Sequence, residues 1–146
     1  IYGALFGEGG SIYTAIAFWA LGQTVLVLVG KYYNLITHYN IHEHIEKDNV
    51  AVGIGFAGAL IGIGNLLRAA SAENFISWEE NLMTFALYML VGLILLPVAR
   101  ALTDRILLPG CRLADELVNQ VKPNQGAAFL EASSYIGASF LITWCI

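Results

Sequence analysis

A chain of 146 residues that is 58% hydrophobic and only 12% charged departs from an ordinary soluble domain, in which about a quarter of the residues carry charge. The net charge of −4 and the pI near 5.2 leave no basic face for nucleic acid, and the mean hydropathy of +0.67 points to lipid as the surrounding solvent. The two cysteines, Cys111 and Cys145, have neither metal nor redox spacing.

In chain order, the first charge-free run extends from Ser11 to Gly30 and predicts a membrane helix over Ser11–Tyr33. A polar connection follows, carrying Lys31, Lys47 and "THYNIHEHIEKDN". In one continuous helix its i, i+4 spacing puts His38, His42 and Glu46 on one face, a weak candidate metal set with His44 and Glu43 nearby; a solvated face is the commoner use of such a pattern. The second run, Val50 to Leu67, predicts a helix over Val50–Ala69. Gly55, Gly58, Ala59 and Gly62 share one of its sides, and small faces in lipid mark close helix–helix contact.

After the segment "SAENFISWEE", a run free of charge from Asn81 to Ala99 predicts a third helix over Leu82–Ala101. The next connection breaks at Pro109–Gly110 and then sets Leu113, Leu117 and Val121 on one stripe of a short amphipathic helix. That stripe, within 111–121, either rests on the bilayer interface or docks a cytoplasmic partner. The last run, Gln125 to Ile146, is interrupted only by Glu131. Glu131 lies about 9 Å inside the start of this helix, at about 1.5 Å per residue. An ionisable group at such depth needs a partner, for which Gln23 or Tyr88 could serve, or a function such as binding a proton or cation. Polar side chains at membrane depth are few, with Gln23, Asn65 and Glu131 foremost, which weighs against a wide aqueous pathway.

Six of the seven basic residues fall in the first and third connections, so these are expected in the cytoplasm and both termini in the periplasm. The chain begins with Ile, so an initiator segment is expected to be missing. Trp78 and Trp144 fit an outer aromatic belt. Shifting the chain by 75 residues lays Lys47–Leu66 over Lys122–Leu141 with six identities, among them Asn49/Asn124 and Gly62/Gly137. Asn49 and Asn124 are each placed to cap a helix start. Ser133, Ser134, Gly137 and Ala138 form the small face of the last helix, comparable to that of the second.

These features predict an all-α integral membrane protein, one domain over 1–146, with four transmembrane helices formed by two tandem two-helix repeats over about 11–70 and 82–146. The sequence "IEKDNVAVGIGFAGALIG" and the later Asn124, Ala127 and Ala132 resemble the bacterial inner-membrane proteins of domain of unknown function 350, the YjfL type. The resemblance implies a similar pair of two-helix units, no established biochemical activity, and membership of a membrane complex, since some relatives accompany membrane-stress or polyamine-related proteins. No catalytic set emerges: Ser133 and Ser134 have no histidine at their depth, and the glycines lack the spacing of a phosphate loop. The expected role is therefore a non-catalytic, cofactor-free subunit of a larger assembly, as a homo-oligomer or with other membrane proteins; the alternative is a small channel or transporter working through Glu131.

Overall fold

The computed structural model describes residues 5–145, and the regular elements among them are helical. They are α1 (Ile12–Thr37), α2 (Ile41–Glu46), α3 (Val50–Ala70), α4 (Trp78–Leu102), a π-helical turn (Thr103–Leu107), α5 (Leu113–Val118) and α6 (Gln125–Cys145). Among the described residues three segments are long and apolar enough to cross a membrane: Ile12–Thr37, Val50–Ala70 and Trp78–Leu107. Helix α6 has 21 residues but is less apolar, because Glu131, Ser133, Ser134, Ser139 and Thr143 interrupt it.

Local chemistry sets the helix boundaries. Ser11 and Thr14 form a reciprocal capping box at α1, and Ser77 caps α4 by accepting from the Glu80 N–H. Helix α1 runs a full turn beyond its expected end and stops at Thr37 because His38 adopts a left-handed φ of 61°. Helix α4 also starts earlier than the charge-free run, since Glu79 and Glu80 favour the positive end of a helix dipole. Its π-helical extension closes with the Leu108 N–H donating to the Thr103 carbonyl at 3.0 Å.

Pro97 lies inside α4 and cannot donate to the carbonyl of Leu93, four residues back. The Tyr32 hydroxyl of α1 donates to that carbonyl at 3.1 Å. At the other end of the bundle Phe18 stacks on Trp78 and tilts against Phe85, with ring centroids 6.3 Å and 5.8 Å apart. Trp78 is thus partly held by the protein and not simply set in the interface, whereas Trp144 is 77% exposed.

The centre of the bundle is the α3–α6 seam, the most extensive contact between any two elements described. Half of the apolar stretch of α3 is buried, against 28% in α1 and in α4. A β-carbon at Gly58 would overlap Cα and Cβ of Ala132, and one at Gly62 would lie 2.9 Å from the Tyr135 carbonyl oxygen. The side chain of Asn65 donates to Ser139 Oγ at 3.2 Å. Positions ascend together along both helices, so α3 and α6 run parallel.

Helix α5 sits under this seam. Leu113 and Leu117 are buried within the chain, so the apolar stripe expected to dock a partner or rest on lipid is turned inward. Val121 lies beyond the helix end and is fully exposed, which removes it from the stripe. The Leu113 N–H donates to Asp104 Oδ1 at 2.6 Å, and Asn49 donates to the Leu117 carbonyl at 2.9 Å. These bonds tie the short helix to both neighbouring connections.

Candidate functional site

Glu131 projects from α6 into the seam and has no exposed surface. Its Oε1 accepts from Tyr33 of α1 at 2.9 Å and from Tyr135, one turn further along α6, at 2.8 Å. The guanidinium of Arg100, from the inner part of α4, forms an ion pair with the same oxygen. The Arg100 side chain is itself only 12% exposed. A buried carboxylate is costly without a counter-charge; Arg100 of α4 supplies it, and tyrosines of α1 and α6 add hydrogen bonds. The other oxygen, Oε2, has no hydrogen-bond partner. It lies beside Gly55, where a β-carbon would come within 2.6 Å of it. Gly55 thus leaves the space that the carboxylate occupies.

The surroundings are aromatic. Tyr33 packs between Phe56, at 5.6 Å, and Tyr135, at 6.0 Å between ring centroids. The Arg100 guanidinium lies 5.7 Å from the ring centre of Tyr39, a cation–π distance. Burial, with a smaller contribution from the Glu131 charge, pushes the Tyr39 phenol up to about 12. Next to Arg100 a cavity of about 350 Å³ is lined by His38, Pro97, Asp104 and Arg112.

The expected partners of Glu131 are therefore replaced. Gln23 lies on the outward side of α1 in a different cavity, and Glu131 bonds to Tyr33 and not to Tyr88. Helical spacing in the sequence sets Tyr135 beside Glu131, but Arg100 and Tyr33 are not singled out by it. No signal in the sequence points to Arg100, which stands where the charge-free run ends and reads as part of the connection that follows.

The remaining singled-out residues divide clearly. Asn49 and Asn124 accept from the N–H groups of Val52 and Ala127, each at 3.2 Å. Gly55, Gly58 and Gly62 face α6. Ser134 Oγ lies 2.8 Å from Thr103 Oγ1, which makes its contact the π-helical turn and not α3. Gly137 is exposed, and nothing lies within 4 Å of where its β-carbon would be. The side of α6 that packs on α3 is instead Ala128, Glu131, Ala132, Tyr135 and Ser139, because the larger residues fill the room left by the glycines of α3.

The weak metal set does not assemble. His38 ends α1, and a break before Ile41 removes it from the face that carries His42 and Glu46. His42 and Glu46 approach to 3.6 Å as an exposed pair, and His38 Nδ1 lies 2.7 Å from the Ile36 carbonyl. Among the described residues no group of three or more His, Cys, Asp or Glu side chains could hold a metal ion.

A family model described as Domain of Unknown Function (DUF350) matches residues 8–146. The chain is 25% identical over 126 residues to UPF0719 transmembrane protein YshE of Bacillus subtilis (strain 168), covering 86% of this chain and 87% of that protein. No solved structure matches.

Proposed function

We propose a role from one premise, that the chain belongs to the Domain of Unknown Function (DUF350) family and is a membrane protein. It acts as a non-catalytic subunit of a larger assembly in the bacterial inner membrane, crossing it four times as two tandem two-helix units. The parallel course of α3 and α6, each started by an asparagine cap, supports the two-unit reading. Lys31, Lys47, Arg100, Arg105, Arg112 and Lys122 then face the cytoplasmic side and both termini the periplasm.

One observation carries the assembly reading. Ser133 and Gly137, spaced i, i+4, lie exposed on the outer side of α6 beside exposed Phe140, Leu141 and Trp144. Small residues paired in this way on a lipid-facing helix favour close approach by a second helix. Gly137→Cys in a Cys111→Ser, Cys145→Ser background tests it by oxidative cross-linking in native membranes. A cross-linked species, with a mass above the monomer in mild detergent, is expected. A monomer in both measurements would sink the proposal. In the same background, Glu79→Cys should label with an impermeant reagent from outside intact cells and Arg105→Cys should not.

A proton or cation pathway through Glu131 is a second reading, favoured by the partnerless Oε2 and by the cavity beside Arg100. Glu131→Gln separates the two. The assembly reading expects the complex intact and vesicle ion flux unchanged, and the transport reading expects the complex intact and flux abolished.

A further inference from the structure

A second cavity, of about 380 Å³, opens between α1, α3 and α4 at the end of the bundle opposite Arg100. Its walls are mostly apolar, Phe18 and Leu67 among them, and the polar side chains of Gln23, Arg68 and Ser71 reach it, the Ser71 hydroxyl being bonded to the Leu67 carbonyl. Gly22 on α1 and Gly64 on α3 both line it, and a β-carbon at either would meet nothing within 4 Å. Glycine inside a helix costs about 1 kcal/mol relative to alanine, and neither of these glycines allows a neighbouring helix to approach. Their effect is to widen the groove. From Phe18 to Gln23 and beyond to Leu26, the α1 wall extends about 12 Å along the helix at about 1.5 Å per residue.

Arg68 is aimed by its neighbours. Its Nε donates to Asn65 Oδ1 at 3.1 Å, and Asn65 in turn donates to Ser139 Oγ at 3.2 Å. Among the described residues the two terminal guanidinium nitrogens have no hydrogen-bond partner, and they remain a fork suited to phosphate oxygens. Helical side chains lean toward the N-terminus, so Arg68 leans into the groove and Gln23 leans toward the level of Arg68. Arg68 is also the one basic residue at this end of the bundle, where Glu8 is bonded through its backbone to Asn74 and Phe75 next to Glu73, and Glu79 and Glu80 open α4 after Trp78, which stacks on Phe18 of the groove. A purely anionic headgroup would meet those carboxylates, whereas one bearing both phosphate and ammonium complements the whole set.

We propose that this groove binds one zwitterionic phospholipid of the ethanolamine type, with its phosphate on Arg68, its ammonium toward the glutamates and an acyl chain between Gly22 and Gly64. The site is separate from the Glu131 cluster and does not rest on the assembly role.

The full chain, purified in mild detergent and equilibrated with vesicles of phosphatidylethanolamine or of phosphatidylglycerol, is weighed by native mass spectrometry. One retained phosphatidylethanolamine per chain is expected, in preference to phosphatidylglycerol. Arg68→Gln should weaken retention by about tenfold, the equivalent of one charged hydrogen bond. Gly64→Leu and Gly22→Leu, on opposite walls, should each displace the acyl chain, while Arg105→Gln at the far end should leave retention unchanged. Arg68→Gln lies at an exposed position and keeps the test open if a leucine variant fails to fold. Equal retention by Arg68→Gln and the parent chain overturns the proposal, as does a preference for phosphatidylglycerol. Full competition by free phosphoethanolamine would remove the acyl chain from the site, and a second copy of the chain lost on groove filling would replace the lipid as occupant; either result also overturns it.

Discussion

Helices α3 and α6 each start on an asparagine that accepts the N–H three residues on, each run for 21 residues, and rise side by side. Their facing surfaces are opposite in kind. Helix α3 presents Gly55, Gly58 and Gly62, while α6 presents Glu131, Ala132 and Tyr135 into the space those glycines leave. Gly62 and Gly137 align when the chain is shifted by 75 residues, yet a β-carbon at the first would press on a backbone carbonyl and one at the second would enter open space. Similar composition in two membrane helices therefore does not assign them the same contact. A small residue marks a contact only where a neighbouring helix stands opposite it, as Ala132 does at Gly58 and Tyr135 at Gly62.

The strongest way to break this contrast is to remove one half of the ion pair that α6 brings into the seam. Arg100→Met leaves the Glu131 carboxylate buried with only tyrosines for company, and a loss of about 3–5 kcal/mol is expected. Glu131→Leu strands Arg100 less severely, because Arg100 reaches the surface in part. The double variant should lose less than the sum, measured by reversible unfolding in detergent. Strict additivity would mean that the pair contributes no coupling.

Next in size is the seam itself. Gly58→Leu forces the backbone of Ala132 away and should destabilise by about 1–3 kcal/mol or more. Gly137→Leu, in open space, should leave the stability of the single chain unchanged. Equal thermal shifts for the two would erase the distinction between the faces. The two caps sharpen the comparison on a finer scale. Asn49→Ala should cost about 1–2 kcal/mol, since it loses both the cap and its bond to the Leu117 carbonyl. Asn124→Ala, at a more exposed site, should cost about 1 kcal/mol or less.

The smallest effect lies outside the seam. Lys47, by hydrogen bond and by charge, holds the exposed Glu43 carboxyl below its ordinary range. A depressed pKa in the folded chain means that this contribution is present above the ordinary carboxylate pKa and fades as pH falls through the lowered one. Amide-exchange protection in α2, taken relative to the intrinsic rate at each pH, should therefore fall only as the solution is acidified below the ordinary carboxylate range, and Lys47→Gln should abolish that dependence.

Most of the helical frame was legible because charge-free runs of membrane length leave little choice of structure. The glycine side of α3 was also readable, since regular spacing alone places Gly55, Gly58 and Gly62 on one line. Two things were not. Arg100 ends a run from which charge is otherwise absent, and it reads as the start of a connection until α4 is found to continue past it as a π-helical turn. His38 looked like one member of a helical triplet because left-handed backbone at a histidine carries no composition signal. The stripe on α5 was correctly periodic over Leu113 and Leu117, but periodicity cannot say whether lipid, a partner or the chain's own helix ends will cover it.

The hydrogen bond from Tyr32 to the Leu93 carbonyl has a mechanical consequence. Pro97 makes that turn the softest point of α4, and a side chain of α1 supplies the bond the proline cannot. Bending α4 there and pulling α1 away from it are then a single motion, so any force that flexes one helix is delivered to the other.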